Sequence, residues 1–205
     1  MDFILQQRLI CVAVIDNPED AVPLAKALMA GGLKTMEVTF RTAGAADAIR
    51  RIRRDLPQMT IGAGTVLTPH QSAQAADAGA QFMVAPGLDE AVLASARARN
   101  VPYIPGVMTP TEVGRTLNLR LKLLKFFPAE ASGGIAMLKA LAGPFAHTGV
   151  KFVPTGGITA ATLPAYLALP VVAAVGGSWM AERDLVAQHE WGKITALAAE
   201  AMKGC

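Results

Sequence analysis

Short apolar runs alternate with stretches of mixed polarity along the whole chain. Eight of these runs read as strands: Leu9–Ile15, Thr35–Phe40, Met59–Ala63, Phe82–Ala85, Tyr103–Pro105, Leu123–Phe127, Lys151–Pro154 and Val171–Val175. Their spacing of roughly 20–30 residues is that of a repeated βα unit. Helix patterns fill the gaps. Pro18-Glu19-Asp20 leads into Ala21–Ala30, which stops at Gly31-Gly32, with acid at the start and glycine past the end. Thr68-Pro69 opens Gln71–Ala78, Asp89-Glu90 opens Ala91–Arg99, and Thr109-Pro110-Thr111-Glu112 starts another helix. Thr159–Ala168 and Ala187–Met202 are the last two. Strict βα alternation predicts an α/β fold with a parallel sheet, and eight units predict its closure into a single (β/α)8 TIM barrel. An open doubly wound sheet would want a glycine-rich turn after the first strand, and Ile15-Asp16-Asn17-Pro18 holds no glycine. No linker or low-complexity stretch divides the chain, so residues 1–205 read as one domain.

Composition sharpens this picture. A chain of 205 residues supports one sizeable core. Apolar residues make up 52% and charged residues 17%, which excludes a disordered chain. The apolar load suits an enclosed parallel sheet and leaves some surface for a subunit interface. The net charge is a mild +3. Arg50, Arg51, Arg53 and Arg54 read as a solvated helix end; no aromatic residues interleave with them, so no nucleic-acid partner is expected. Cys11 lies in an apolar run and Cys205 ends the chain, which makes no disulfide framework and fits a reducing cytoplasm. Gln6, Gln7 and Arg8 interrupt the N-terminal apolar stretch, and Asp16-Asn17 follows the next one, so neither export signal nor membrane association is expected.

Barrel active sites lie at the C-terminal ends of the strands. The polar residues predicted there are Glu37, Arg41, Thr65, Lys125, Thr155 and Ser178. Lys125 stands in Leu123-Leu124-Lys125-Phe126-Phe127-Pro128, which reads as a buried strand, where lysine is rare without a partner or a purpose. An amine withdrawn from water favours its neutral form, and a neutral amine attacks ketones to form a Schiff base. The plainer reading is a lysine snorkelling from a strand end. Strand alternation puts Glu37, Thr39 and Arg41 on one face and Met36, Val38 and Phe40 on the other. A carboxylate at the barrel mouth shuttles protons, and an arginine there binds a substrate carboxylate with two parallel hydrogen bonds. The plainer reading is a Glu37–Arg41 ion pair. Gly62-Ala63-Gly64-Thr65 offers close backbone approach and a hydroxyl. The pairs Gly156-Gly157 and Gly176-Gly177 follow strands seven and eight, where barrels commonly build phosphate sites from backbone N–H groups. His70, His147 and His189 end no predicted strand, which argues against a metal site or a Ser-His-Asp triad.

Taken together, Glu37-Val38-Thr39-Phe40-Arg41, Gly62–Thr65, Leu124–Glu130, Pro154–Ile158 and Gly176–Trp179 resemble the 2-keto-3-deoxy-6-phosphogluconate (KDPG) and 4-hydroxy-2-oxoglutarate aldolase family, with the motifs in order over nearly the whole chain. The resemblance implies a class I aldolase of the Entner–Doudoroff pathway, usually trimeric, taking a phosphorylated keto acid and yielding pyruvate without metal or organic cofactor. Lys125 would form the Schiff base and Glu37 would act as general acid and base. Arg41 and Thr65 would bind the pyruvate carboxylate, and Phe127 and Pro86 would line the pocket. Thr155, Gly156, Gly157, Gly177 and Ser178 would receive the distal part of the substrate and its phosphate. Asp16 departs from the pattern, since many members carry arginine just after the first strand; an acidic residue there disfavours a nearby anion. A barrel isomerase or synthase for a phosphorylated substrate, and a non-catalytic phosphate-binding barrel, are the rival readings; the first has less use for the buried lysine, and the convergence of lysine, glutamate and arginine argues against the second.

Overall fold

The computed structural model describes residues 6–205, so the first five residues of the expected domain lie outside it. The chain runs β1 (Leu9–Ala13), α1 (Ala21–Ala30), β2 (Thr35–Thr39), α2 (Ala45–Asp55), β3 (Thr60–Gly64), α3 (Pro69–Asp77), β4 (Met83–Val84), α4 (Glu90–Ala98), β5 (Tyr103–Ile104), β6 (Gly106–Val107) and α5 (Pro110–Asn118). It continues through β7 (Leu123–Phe126), α6 (Gly134–Ala142), β8 (Lys151–Pro154), α7 (Leu163–Leu167), β9 (Val175–Gly177), α8 (Arg183–Ala187) and α9 (Trp191–Met202). The fold is α/β with parallel pairing throughout. Six strands form one sheet in the order β5-β4-β3-β2-β1-β9, and β6-β7-β8 form a second.

Helix starts follow local chemistry. Thr109 accepts from the Glu112 N–H while the Glu112 carboxylate accepts from the Thr109 N–H, a capping box that pins the start of α5. Thr68 and Asp89 cap α3 and α4 in the same way from one side. The last helix returns to the first: Thr195 Oγ1 donates to Ala27 O at 3.0 Å.

The structure corrects the bounds of two strands and two helices. The fifth expected strand is split by Pro105, which has no N–H to give a ladder, although its carbonyl still accepts from the Lys125 N–H at 2.8 Å. The eighth was expected at Val171–Val175 and is found at Val175–Gly177, with Val172 making only an isolated bridge to Phe152. Gly176 and Gly177, expected to follow the strand, are therefore part of it, held by pairing to Ile10 and Cys11. The helix expected over Ala187–Met202 is two helices, broken at His189, whose φ of 56° no helix accommodates. The helix expected from Thr159 begins only at Leu163, because Thr162 Oγ1 accepts from the Thr159 N–H and holds a turn.

Two apolar clusters follow from strand alternation. Outward residues such as Cys11, Met36, Val38, Ile61, Leu124, Phe126 and Phe152 pack under the helices. Inward residues Ile10, Phe82, Val84, Ile104, Val153 and Ala174, with Leu123 beside them, form a separate plug between the strands. Three of the four α2 arginines are engaged at the surface: Arg50 and Arg51 with Asp47, Arg51 also with Glu19, and Arg54 with Asp55. Among the described residues no helix is long and apolar enough to cross a membrane.

Candidate active site

Directly above the apolar plug the same strands change character. Two residues on from Ile10, Leu123, Val153 and Ala174 stand Val12, Lys125, Thr155 and Gly176, and all four line one cavity of about 250 Å³. Every residue to which the family resemblance gave a role reaches this cavity: Glu37, Arg41, Thr65, Pro86, Lys125, Phe127, Thr155, Gly156, Gly157, Gly177 and Ser178. Val12, Thr39, Gly176 and Ile158 line it as well. Alternation already set Thr39 beside Glu37; Val12 and Ile158 carry no polar group that would have marked them.

The two charged side chains at the centre are Lys125 and Glu37, 5% and 3% exposed. Lys125 Nζ lies 3.6 Å from Glu37 Oε1. That is an ion-pair contact but too long for a hydrogen bond, and Oε1 has no hydrogen-bond partner among the described residues. A buried carboxylate oxygen left in this condition is costly unless a water or a substrate hydroxyl fills the gap. The plainer reading of Glu37 as an Arg41 partner does not hold: Arg41 makes no ion pair among the described residues, and its Nε donates only a long 3.4 Å bond to Thr39 Oγ1. The Lys125 ammonium also sits over the Phe127 ring, 5.0 Å from its centroid, a face that favours a cation.

The backbone around this pair is shaped to admit it. A Cβ on Gly64 would lie 1.9 Å from Glu37 Oε1, so the carboxylate occupies space that only glycine leaves open. Thr65 follows with φ of 54°, a left-handed conformation that is rare for a β-branched residue and marks the site as strained. Gly156 and Gly157 have φ of 104° and 77°, which side chains rarely adopt. The N–H groups of Gly157 and Ser178 have no acceptor among the described residues.

Nearby titratable groups are compensated. Burial, with the Glu37 charge as a lesser cause, pushes the Cys11 thiol up to about 12, so it stays protonated and inert. Asp16 does not line the cavity. Arg183 grips it through two hydrogen bonds of 2.6 and 2.5 Å, which hold its carboxyl below the usual range. The repulsion its sequence position suggested is thus offset by a cation. His70 and His147 are exposed, and His189 contacts Asp20 at 3.0 Å and stacks on Trp191. Among the described residues no cluster of three His, Cys, Asp or Glu side chains is placed to hold a metal ion.

A sequence model of the family described as KDPG and KHG aldolase matches residues 2–197. The chain belongs to that family. It is 48% identical to the KHG/KDPG aldolase of Escherichia coli strain K12 over 193 residues, 94% of this chain and 90% of that one. Its fold is similar to that of the KDPG aldolase from Legionella pneumophila, solved with pyruvate captured at low pH as a covalent carbinolamine intermediate. The TM-score is 0.89 at 44% identity, covering 94% of this chain and 93% of that one. It is also similar to the 2-keto-3-deoxy-6-phosphogluconate aldolase of Zymomonas mobilis ZM4 with 3-phosphoglycerate. There the TM-score is 0.87 at 43% identity, covering 98% and 93% of the two chains.

Proposed function

We propose that this chain is a class I aldolase that cleaves 2-keto-3-deoxy-6-phosphogluconate to pyruvate and glyceraldehyde 3-phosphate, and 4-hydroxy-2-oxoglutarate to pyruvate and glyoxylate. One observation carries the reading: a buried lysine amine and a buried carboxylate oxygen 3.6 Å apart, facing a cavity, with the oxygen otherwise unpartnered among the described residues. The covalent pyruvate adduct of the Legionella relative and the three-carbon phosphate in the Zymomonas relative support the two halves of the substrate.

Lys125 attacks the C2 ketone, and Glu37 relays protons so that the carbinolamine loses water. The protonated imine draws electrons from C3. Glu37 takes the C4 hydroxyl proton as the C3–C4 bond breaks, and the aldehyde departs. The pyruvate enamine is then protonated at C3 and hydrolysed from the lysine. Arg41 and Thr65 hold the keto-acid carboxylate, Phe127 faces the iminium, and Pro86 closes one wall. Thr155, Gly156, Gly157, Gly177 and Ser178 receive the distal chain and its phosphate, to which the free N–H groups of Gly157 and Ser178 donate.

The same reading takes the chain as one domain, a closed (β/α)8 barrel. Its support lies at the two seams between the sheets. At one, Pro105 alone separates β5 from β6 while its carbonyl bonds to β7. At the other, Thr155 bridges Gly176 in parallel, joining the end of β8 to β9. A cytoplasmic homotrimer completes the proposal: the family resemblance suggests the trimer, and exposed Leu67 and Met108 supply apolar surface for contacts.

The test is borohydride reduction in the presence of pyruvate, followed by peptide mapping. The adduct is expected on Lys125, and an adduct on any other residue defeats the assignment. Pyruvate release, coupled to lactate dehydrogenase, is expected from both substrates.

A further inference from the structure

Glu130 ends the Leu124–Glu130 motif, yet it does not line the cavity. Its carboxylate Oε1 accepts a 2.5 Å hydrogen bond from the hydroxyl of Tyr166, on α7. Tyr166 is wholly buried, among the largest fully buried side chains, and burial followed by this bond pushes its phenol well above the ordinary range. The bond joins the turn after β7 to the helix after β8. Gly156-Gly157 lies in the chain between β8 and that helix. The β7 turn also grips that segment through its backbone, because the Ala129 N–H donates to Thr155 O at 2.8 Å and the Glu130 N–H donates to Gly156 O at 3.0 Å. The Glu130 stem lies against Gly157: a Cβ there would come within 2.7 Å of Glu130 Cβ. The loop is thus held to the β7 turn by its carbonyls and packed against the Glu130 stem, whose carboxylate is in turn tied to Tyr166.

We infer that Glu130 and Tyr166 are positioning residues that clasp the Gly156-Gly157 loop so that the free N–H of Gly157 faces the substrate phosphate. The inference rests on the phosphate site of the proposed function and adds to it the means by which that site is kept preorganised. The Glu130–Tyr166 bond involves neither Lys125 nor Glu37, so it governs the distal end of the substrate and not the imine.

The test compares steady-state kinetics on the phosphorylated substrate and on 4-hydroxy-2-oxoglutarate, which carries no phosphate. Tyr166→Phe removes only the hydroxyl. Glu130→Ala, at an exposed residue, covers the case in which the tyrosine variant folds poorly. Glu130→Gln keeps an acceptor oxygen. Tyr166→Phe and Glu130→Ala are expected to raise KM for the phosphorylated substrate about tenfold, with kcat and the KM for the unphosphorylated substrate close to wild type, and Glu130→Gln to restore most of the loss. KM rising equally for both substrates, or for neither, overturns the clasp and leaves a structural hydrogen bond. A wild-type protein that releases no pyruvate from either substrate instead overturns the proposed function, so the two failures are distinct.

Discussion

Two layers stacked along the same strands share one backbone and do opposite things. The lower layer packs the apolar side chains of Ile10, Phe82, Val84, Ile104, Val153 and Ala174 together in the space between the strands. The upper layer, one pleat further on at roughly 6–7 Å, holds Lys125, Glu37 and Thr155 around a cavity. The lower layer stabilises by removing apolar surface from water. The upper layer leaves Glu37 Oε1 unpartnered among the described residues and Thr65 strained, both of which cost stability. The division shows how this fold accommodates a reactive pair: packing beneath offsets what the chemistry above costs. Substitutions in the two layers should therefore separate activity from stability.

The largest separation is expected at Lys125. Lys125→Met removes the nucleophile, and kcat/KM should fall about 10⁴-fold or more, roughly 5.4 kcal/mol in transition-state terms. It should also cost stability by about 3–5 kcal/mol, because Glu37 then keeps a buried charge with no partner. Adding Glu37→Gln removes that charge, and denaturant melts of the double variant should recover most of the stability with no activity. A single variant as stable as wild type would show that the buried pair is not charged in the resting protein.

Glu37→Gln alone comes next. General acid-base roles contribute about 10²–10⁴-fold, so turnover should drop by that order while pyruvate can still be trapped on Lys125 with borohydride. Unimpaired turnover would remove Glu37 from the mechanism.

The lower layer predicts the converse. Phe82→Ala should lower the unfolding free energy by about 3–5 kcal/mol through the cavity it leaves, with kcat/KM of the folded protein unchanged. A comparable loss in kcat/KM would mean that the layers are mechanically coupled, with Gly62, against which the Phe82 ring packs, as the first link to examine.

The two layers also differed in how plainly they could be read from residues alone. Polar residues at the ends of apolar runs stand out, so Glu37, Lys125 and their companions reached one cavity as expected. The period of βα units was equally plain. What escaped depends on contacts between distant segments. Gly176 and Gly177 have weak strand preference, and their strand state comes from β1, more than 160 residues away in sequence. Arg183 and Asp16 meet across 167 residues, so the compensation of Asp16 had no local sign. The Glu130–Tyr166 bond spans 36 residues and is likewise visible only in the fold.

The smallest expected effect tests the cost of the upper layer at one backbone position. Thr65 holds a φ of 54°, which glycine adopts freely and a β-branched residue does not. Thr65→Gly relieves that strain but frees the unfolded chain, so the two terms oppose and net stability should change by less than about 1 kcal/mol. Binding should not be spared in the same way. A hydroxyl hydrogen-bonded to a carboxylate is worth about 1.5–3 kcal/mol, so its loss should raise KM for the keto acid roughly tenfold or more. Thr65→Ser keeps the hydroxyl and sheds the branch, so its KM should stay near wild type. If both variants raise KM alike, the methyl group and not the hydroxyl serves the site; if neither does, the strain at Thr65 has no part in binding.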